Sequence, residues 1–168
     1  MTRTATIFCA IAALTTVVLA EKATEQHDAI ITQADELKWG APPPGLPPGA
    51  QAAILEGDPA KQGPFTVRLR APKGYRIMPH FHPGVEHVTV ISGAMRIGMG
   101  DHFDEAQTTP VKAGGFFAMP RGHHHFAAVT EESTIQLHGI GPWGITYVDP
   151  SDDPRRAKAG TTRSPMTP

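Results

Sequence analysis

The chain is 168 residues long, with 15 basic and 16 acidic side chains and a formal net charge of −1. That balance excludes a nucleic-acid binder working through clustered Lys and Arg, and the length fits one domain. The 17 glycines and 17 prolines beside 40% hydrophobic residues indicate a turn-rich, foldable, all-β chain, and the nine histidines call for a chemical explanation.

In chain order, Arg3 precedes an uncharged run from Ala5 to Ala20, which ends in Val18-Leu19-Ala20 before Glu21. This predicts a signal peptide over residues 1–20, cleaved after Ala20, because the run is shorter than the ~20 residues a spanning helix needs. The protein is then expected to be periplasmic or secreted, with no stable membrane span after cleavage. Cys9, the single cysteine, lies inside that run. The mature chain would hold no thiol, which excludes disulfides, thiolate nucleophiles and Cys-ligated metal.

Residues 21–49 read as a leader and Pro-rich arm. Ile30, Ala34 and Leu37 have short helical spacing, and Ala41 to Ala50 (APPPGLPPGA) should be extended, as a spacer or as an arm lying on the domain. From 50 to 149, alternating apolar runs recur between turn signals. Strands are expected at Phe65–Arg70, Tyr75–Phe81, Val88–Val90, Met95–Met99, Phe116–Met119, His125–Val129, Thr134–His138 and Gly144–Val148, with turns at Ser92-Gly93 and Gly122 among others. Such spacing predicts a sandwich or barrel. Residues 150–168 mix charge, Pro, Ser and Thr without period and read as a disordered tail.

His80 and His82 are two residues apart, so on a strand both imidazoles face one side. After a Pro-Gly turn, Glu86 opens the next strand with the parity of Val88 and Val90. Two imidazoles and a carboxylate aimed into one interior are costly to bury unpaired, and a divalent cation satisfies all three. A second stretch runs from Gly114 through Pro120 and Gly122 to His125. The two stretches have the spacings G-x5-H-x-H-x3-E-x6-G and G-x5-P-x-G-x2-H.

In these motifs the sequence resembles the cupin superfamily, and its trailing segment Gly141–Val148 is similar to small secreted bacterial single-domain cupins. The resemblance implies an all-β double-stranded β-helix barrel, jelly-roll-like, with a short N-terminal helical and Pro-rich arm. It places the metal ligands on His80, His82, Glu86 and His125. It also implies a homodimer whose N-terminal strand pairs across subunits. The family often has Asn where this chain has Val129, which touches the surroundings of the site and not its ligands.

Of the remaining candidates, His124 should face outward by parity, while His123 shares the parity of His125 but sits in a turn. His87 and His102 read as solvated. Gln136 and His138 share a strand face and could reach the pocket. Met78 and Arg76 should share the inward face of His80 unless Pro79 shifts the register. One of Phe116 and Phe117 must point in.

Three imidazoles and a carboxylate leave open positions on a six-coordinate ion, the mark of a catalytic rather than a closed site. The donor set suits Mn, Fe, Co, Ni or Zn; resemblance to cupin dioxygenases implies Mn or Fe, and an extracytoplasmic setting adds weight to Zn. The leading expectation is a metal-dependent enzyme of dioxygenase type on a small oxygen-rich or aromatic substrate, Glu86 also accepting a substrate proton. The alternatives are a secreted non-catalytic barrel binding metal and small ligand, or a metal-dependent isomerase or lyase on sugars or carboxylates.

Overall fold

The computed structural model describes residues 29–159. The predicted signal peptide with Cys9, the first part of the leader and the end of the tail lie outside the described residues. Eight strands make up the barrel: β1 (Gln51–Glu56), β2 (Gly63–Ala71), β3 (Arg76–Phe81), β4 (Glu86–Met99), β5 (Thr108–Lys112), β6 (Phe116–Met119), β7 (His125–Gly141) and β8 (Thr146–Tyr147). The expected all-β double-stranded β-helix is therefore present.

Two long antiparallel strands, β4 and β7, organise the barrel. The first half of β4 pairs with β6 and with the end of β7, and its second half pairs with β5 and the start of β7. β7 in turn carries β3 on its first half and β2 on its second, giving the order β1-β2-β7-β3-β8. Each long strand thus serves both faces, and each must bend midway.

The bend explains a misreading of the sequence. Ser92-Gly93 is not a turn between two strands but a bulge within one, where the β4–β7 register shifts. Gly93 has φ of +77°, and a Cβ there would stand 2.2 Å from the Glu132 carbonyl oxygen. Only glycine fits. The side chains of Ser133 and Thr130 bond the Ala94 carbonyl, each at 3.1 Å, so the interrupted ladder is not left unsatisfied. Likewise His125–Val129 and Thr134–His138 are one strand, whereas the run Gly144–Val148 contributes only Thr146–Tyr147. β1 and β5 were not foreseen.

Inward positions build a continuous core. Phe65, Val67, Leu69, Val88 and Leu137 pack with Ala52, and Val90, Met95, Ile97, Met119 and Ala127 form the adjoining cluster. The bulge shifts β4 parity from even (Glu86, Val88, Val90) to odd (Met95, Ile97), so one face stays buried around the corner.

The Pro-rich arm lies on the domain. Gly40 exchanges backbone hydrogen bonds with Ala52 at the free edge of β1 (2.8 and 3.0 Å), so within this chain the segment pairs with its own strand. Leu46 packs against the first core cluster. The Tyr75 hydroxyl donates to the Pro47 carbonyl and the Tyr147 hydroxyl to the Gly45 carbonyl, both at 2.7 Å. Among its described residues the leader forms a 3₁₀ turn at Ala34–Glu36 rather than the helix its spacing suggested, too few residues to propagate a helix. The stretch from 150, read as disordered, forms a 3₁₀ turn at Pro150–Asp152 and helix α1 (Pro154–Ala159). Its Arg155 holds Asp153 at 2.7 Å and the Ile145 carbonyl at 3.1 Å. That tertiary anchor has no periodicity to announce it.

Burial, followed by the neighbouring Tyr147, pushes the Tyr75 phenol above its ordinary value. A raised folded-state pKa means the neutral phenol supports the fold, and that support is lost as pH rises past ~10, where the unfolded phenol ionises. Denaturant titrations at pH 8 and pH 10.5 should show Tyr75→Phe less stable by about 1 kcal/mol at the lower pH. The gap between variant and wild type should narrow at the higher one.

Candidate metal centre

Four side chains from three strand ends meet at one end of the core. His80 closes β3, His82 follows it, Glu86 opens β4 and His125 opens β7. His80 and His125 are direct cross-strand partners. All four are buried, the imidazoles 2–3% exposed and Glu86 8%.

Each imidazole is fixed by its Nδ1. That of His80 lies 2.7 Å from the Met78 carbonyl, that of His82 2.7 Å from the Gly144 carbonyl, and that of His125 2.9 Å from the His123 carbonyl. A carbonyl oxygen only accepts, so Nδ1 carries the proton in each ring. In the neutral ring Nε2 is then a bare lone pair. The donor atoms of the three rings lie within 4.8 Å of one another. Burial holds the His80 imidazole well below its ordinary pKa, helped by His125 and His82, and burial likewise lowers His82 against the opposing pull of Glu86. These rings keep their lone pairs at pH values where a solvated histidine is protonated.

Glu86 faces the same space. Its Oε2 is 3.2 Å from His125 Nε2 and its Oε1 3.5 Å from His82 Nε2. His82 Nε2 is fully buried and has no hydrogen-bond partner among the described residues. Acceptors therefore face acceptors in a buried pocket, which is unfavourable unless a proton or a cation lies between them. Two donors on one ion at ~2.1 Å bonds stand at most about 4.2 Å apart, so small side-chain shifts suffice to close the set. Three buried histidines could thus hold a metal, and Glu86 lies beside two of them.

The surroundings correct several expectations. Arg76 does not face inward: it is exposed, paired with Glu105 at 3.1 Å. Met78 lies outside too, and Ile77 takes the inward place, because the β3–β7 register shifts between Ile77 and His80. Pro79, which has no N–H to give the ladder, sits at that shift. Gln136 and His138 are on the outer face, where Gln136 accepts from Arg68 at 3.3 Å and His138 stacks on His87 at 4.9 Å. His87 is accordingly half-buried rather than solvated. Phe117 lines the pocket, and Phe116 is 57% exposed. His124 is directed outward as expected, 2.6 Å from Asp101, and His123 serves the site through its carbonyl while its side chain is exposed.

Two contributors were not assigned from sequence. Trp143 stacks on the His82 ring at 4.2 Å, and Leu46 from the arm helps to close the cavity, whose volume is only about 40 Å³. The carbonyls that orient His80 and His125 lie two residues before each ring, a local pattern that extended backbone makes legible. Gly144 is 62 residues from His82, and no local signal could have found it.

Replacing Glu86 by glutamine offers an amide donor to the bare nitrogens. Glu86→Gln should therefore raise the stability of the metal-free protein by about 1 kcal/mol while weakening metal retention. Melting curves in EDTA and elemental analysis of the two proteins check both halves.

Residues 27–143, well over half of the chain, match the family model of the ChrR cupin-like domain. No curated protein matches the sequence. Among solved structures, a proposed acetylacetone dioxygenase from Methylibium petroleiphilum PM1 is similar at TM-score 0.59 and 20% identity, covering 78% of this chain and 88% of that one. The polyketide cyclase RemF from Streptomyces resistomycificus is similar at TM-score 0.61 and 18% identity, covering 79% and 94%. A double-stranded β-helix protein from Klebsiella pneumoniae gives TM-score 0.52 and 21% identity over 70% and 89%. At these identities the likeness is one of fold. With both motifs inside the matched region and the barrel built as they require, the chain belongs to the cupin superfamily as a single-domain protein of the ChrR cupin-like family.

Proposed function

We propose that this protein is a metal-dependent cupin enzyme of dioxygenase type, acting on a small oxygen-rich or aromatic molecule. The observation that carries the reading is the convergence of three tautomer-fixed Nε2 lone pairs and the Glu86 carboxylate in one buried pocket. His80, His82, Glu86 and His125 would hold one divalent ion, Mn, Fe or Zn, with Ni or Co compatible with the same donors. When bound, such an ion supplies Lewis acidity or a meeting place for dioxygen and a chelating substrate.

The protein's own residues have separable tasks. The Met78, Gly144 and His123 carbonyls keep the three rings in the ligating tautomer. Glu86 offsets one unit of the cation's charge, and its Oε1 and Oε2 are the nearest carboxylate oxygens to take a proton from a substrate hydroxyl or enol. Phe117, Trp143 and Leu46 exclude water and give the substrate an apolar surround. Export through residues 1–20 would place this activity in the periplasm or outside the cell.

One observation favours a second reading, a non-catalytic barrel binding metal and small ligand. The cavity beside the four side chains is only about 40 Å³, with room for water but not for a substrate. Elemental analysis of the native full chain, then oxygen uptake with β-diketones and catechols, separates the readings. Stoichiometric metal, lost in Glu86→Ala and His125→Ala, with oxygen consumed by wild type alone, is the expected result. Metal without turnover would leave the binding barrel, and turnover under argon would move the reaction to isomerase or lyase chemistry.

A further inference from the structure

Next to the small cavity of the four site residues lies a much larger groove of about 620 Å³, bounded by the Pro-rich arm on one side and the Trp143 loop on the other. Both spaces are lined by the same three side chains, Leu46, Trp143 and Ile145. Those three residues are a partition one side chain thick. We propose that the groove is the vestibule in which the substrate first binds, and that Leu46 on the arm is the gate between it and the metal cavity. This rests on the reading of the inner site as a metal centre that takes a small molecule.

The walls of the groove identify the class of occupant. The successive rings of Pro42, Pro43 and Pro44 face a groove shared with Trp143 and Ile54, surfaces that suit a planar apolar body. Lys38 lines the same space beside two charges that are already paired, Arg155 with Asp153 at 2.7 Å and Asp58 with Lys61 at 3.4 Å, which leaves Lys38 as the charge without a partner among the described residues. The charge balance therefore favours an anion. Trp143 Nε1 is a buried donor without a partner among the described residues, and it lies in the partition itself. The vestibule accordingly fits a small aromatic or enolic acid whose anionic oxygen is the end that must reach the inner site.

The arm is built to be held firmly and yet to be separable. Its two hydroxyl tethers, Tyr75 to Pro47 and Tyr147 to Gly45, flank Leu46 on either side. Gly45 allows the close seat, for its φ is +99° and a Cβ there would stand 2.5 Å from Ile145 Cγ2. No covalent link and no strand ladder holds 41–50, so its detachment costs two tethers and the burial of Leu46 and Ala50. Local openings of that size occur far more often than global unfolding.

The gate can be tested without enzyme turnover and without metal. The full chain, stripped with EDTA, is treated with diethyl pyrocarbonate, which modifies the bare Nε2 of histidine, and modification of His80, His82 and His125 is followed by mass spectrometry. Leu46→Ala should speed their modification about tenfold, and Tyr75→Phe, which releases one tether, by roughly the fewfold to tenfold that one lost hydrogen bond gives an opening equilibrium. Benzoate, as the probe for the vestibule, should slow the reaction in wild type and leave the exposed His102 and His123 unaffected. Unchanged rates at the three buried histidines in folded Leu46→Ala and Tyr75→Phe would overturn the gate. Absence of protection by benzoate would overturn the assigned occupant. Because metal content is measured separately, failure here is distinguishable from failure of the metal reading.

Discussion

The structure turns on a conflict that protein atoms alone do not resolve. Three imidazole nitrogens and two carboxylate oxygens, all acceptors, converge in one buried pocket. The backbone enforces the conflict by drawing each Nδ1 proton to a carbonyl, so no ring can turn a proton inward without becoming charged. In a low-dielectric interior that charging is opposed by burial, as the depressed His80 and His82 values indicate. A cation reverses the sign of every one of these interactions. The pocket is best understood as stability surrendered locally for binding, with the surrounding apolar core supplying the difference.

The barrel exists to bring these ends together. β4 and β7 run side by side from His87 to Met99 and from His125 to His138, and glycine at 93 with hydroxyls at 130 and 133 lets them turn from one sheet into the other without orphaned backbone groups. The same device carries Glu86 and His125 to one end of the core. The shift at Pro79 performs a parallel service on β3, turning Ile77 and His80 inward together although their separation is odd. Regular alternation would have turned Met78 and Arg76 inward in place of Ile77, and with Arg76 a charge opposed to any cation.

Closure and access pull against each other in this architecture. The arm that completes the core with Leu46 also seals the space above the histidines, and Trp143 both stacks on His82 and forms the outer wall. Water exclusion strengthens electrostatic interactions inside, but it leaves no path for a molecule larger than water. Non-covalent tethers at the two tyrosines are the kind of fastening that reconciles the two demands, firm on average and open in rare excursions.

Much of the site could be read in the chain because its determinants are local. Histidines two apart, a carboxylate four further on and a Pro-Gly turn between them define side and spacing through the period of an extended strand, and the second motif supplied His125 by resemblance. The positions of Arg76, Gln136 and His138 were beyond such reasoning, since a bulge or an edge decides which face a residue takes and depends on the partner strand. The helical turn after Pro150, the Gly144 carbonyl under His82 and the Leu46 seal were equally hidden, being contacts between segments with no shared period. Sequence alone thus set the shared side and the spacing of His80, His82 and Glu86, because alternation and turn chemistry act over a few residues. Tertiary packing decided the tautomers, the closure and the outer groove, because those depend on chain segments tens of residues apart arriving in the same few ångströms.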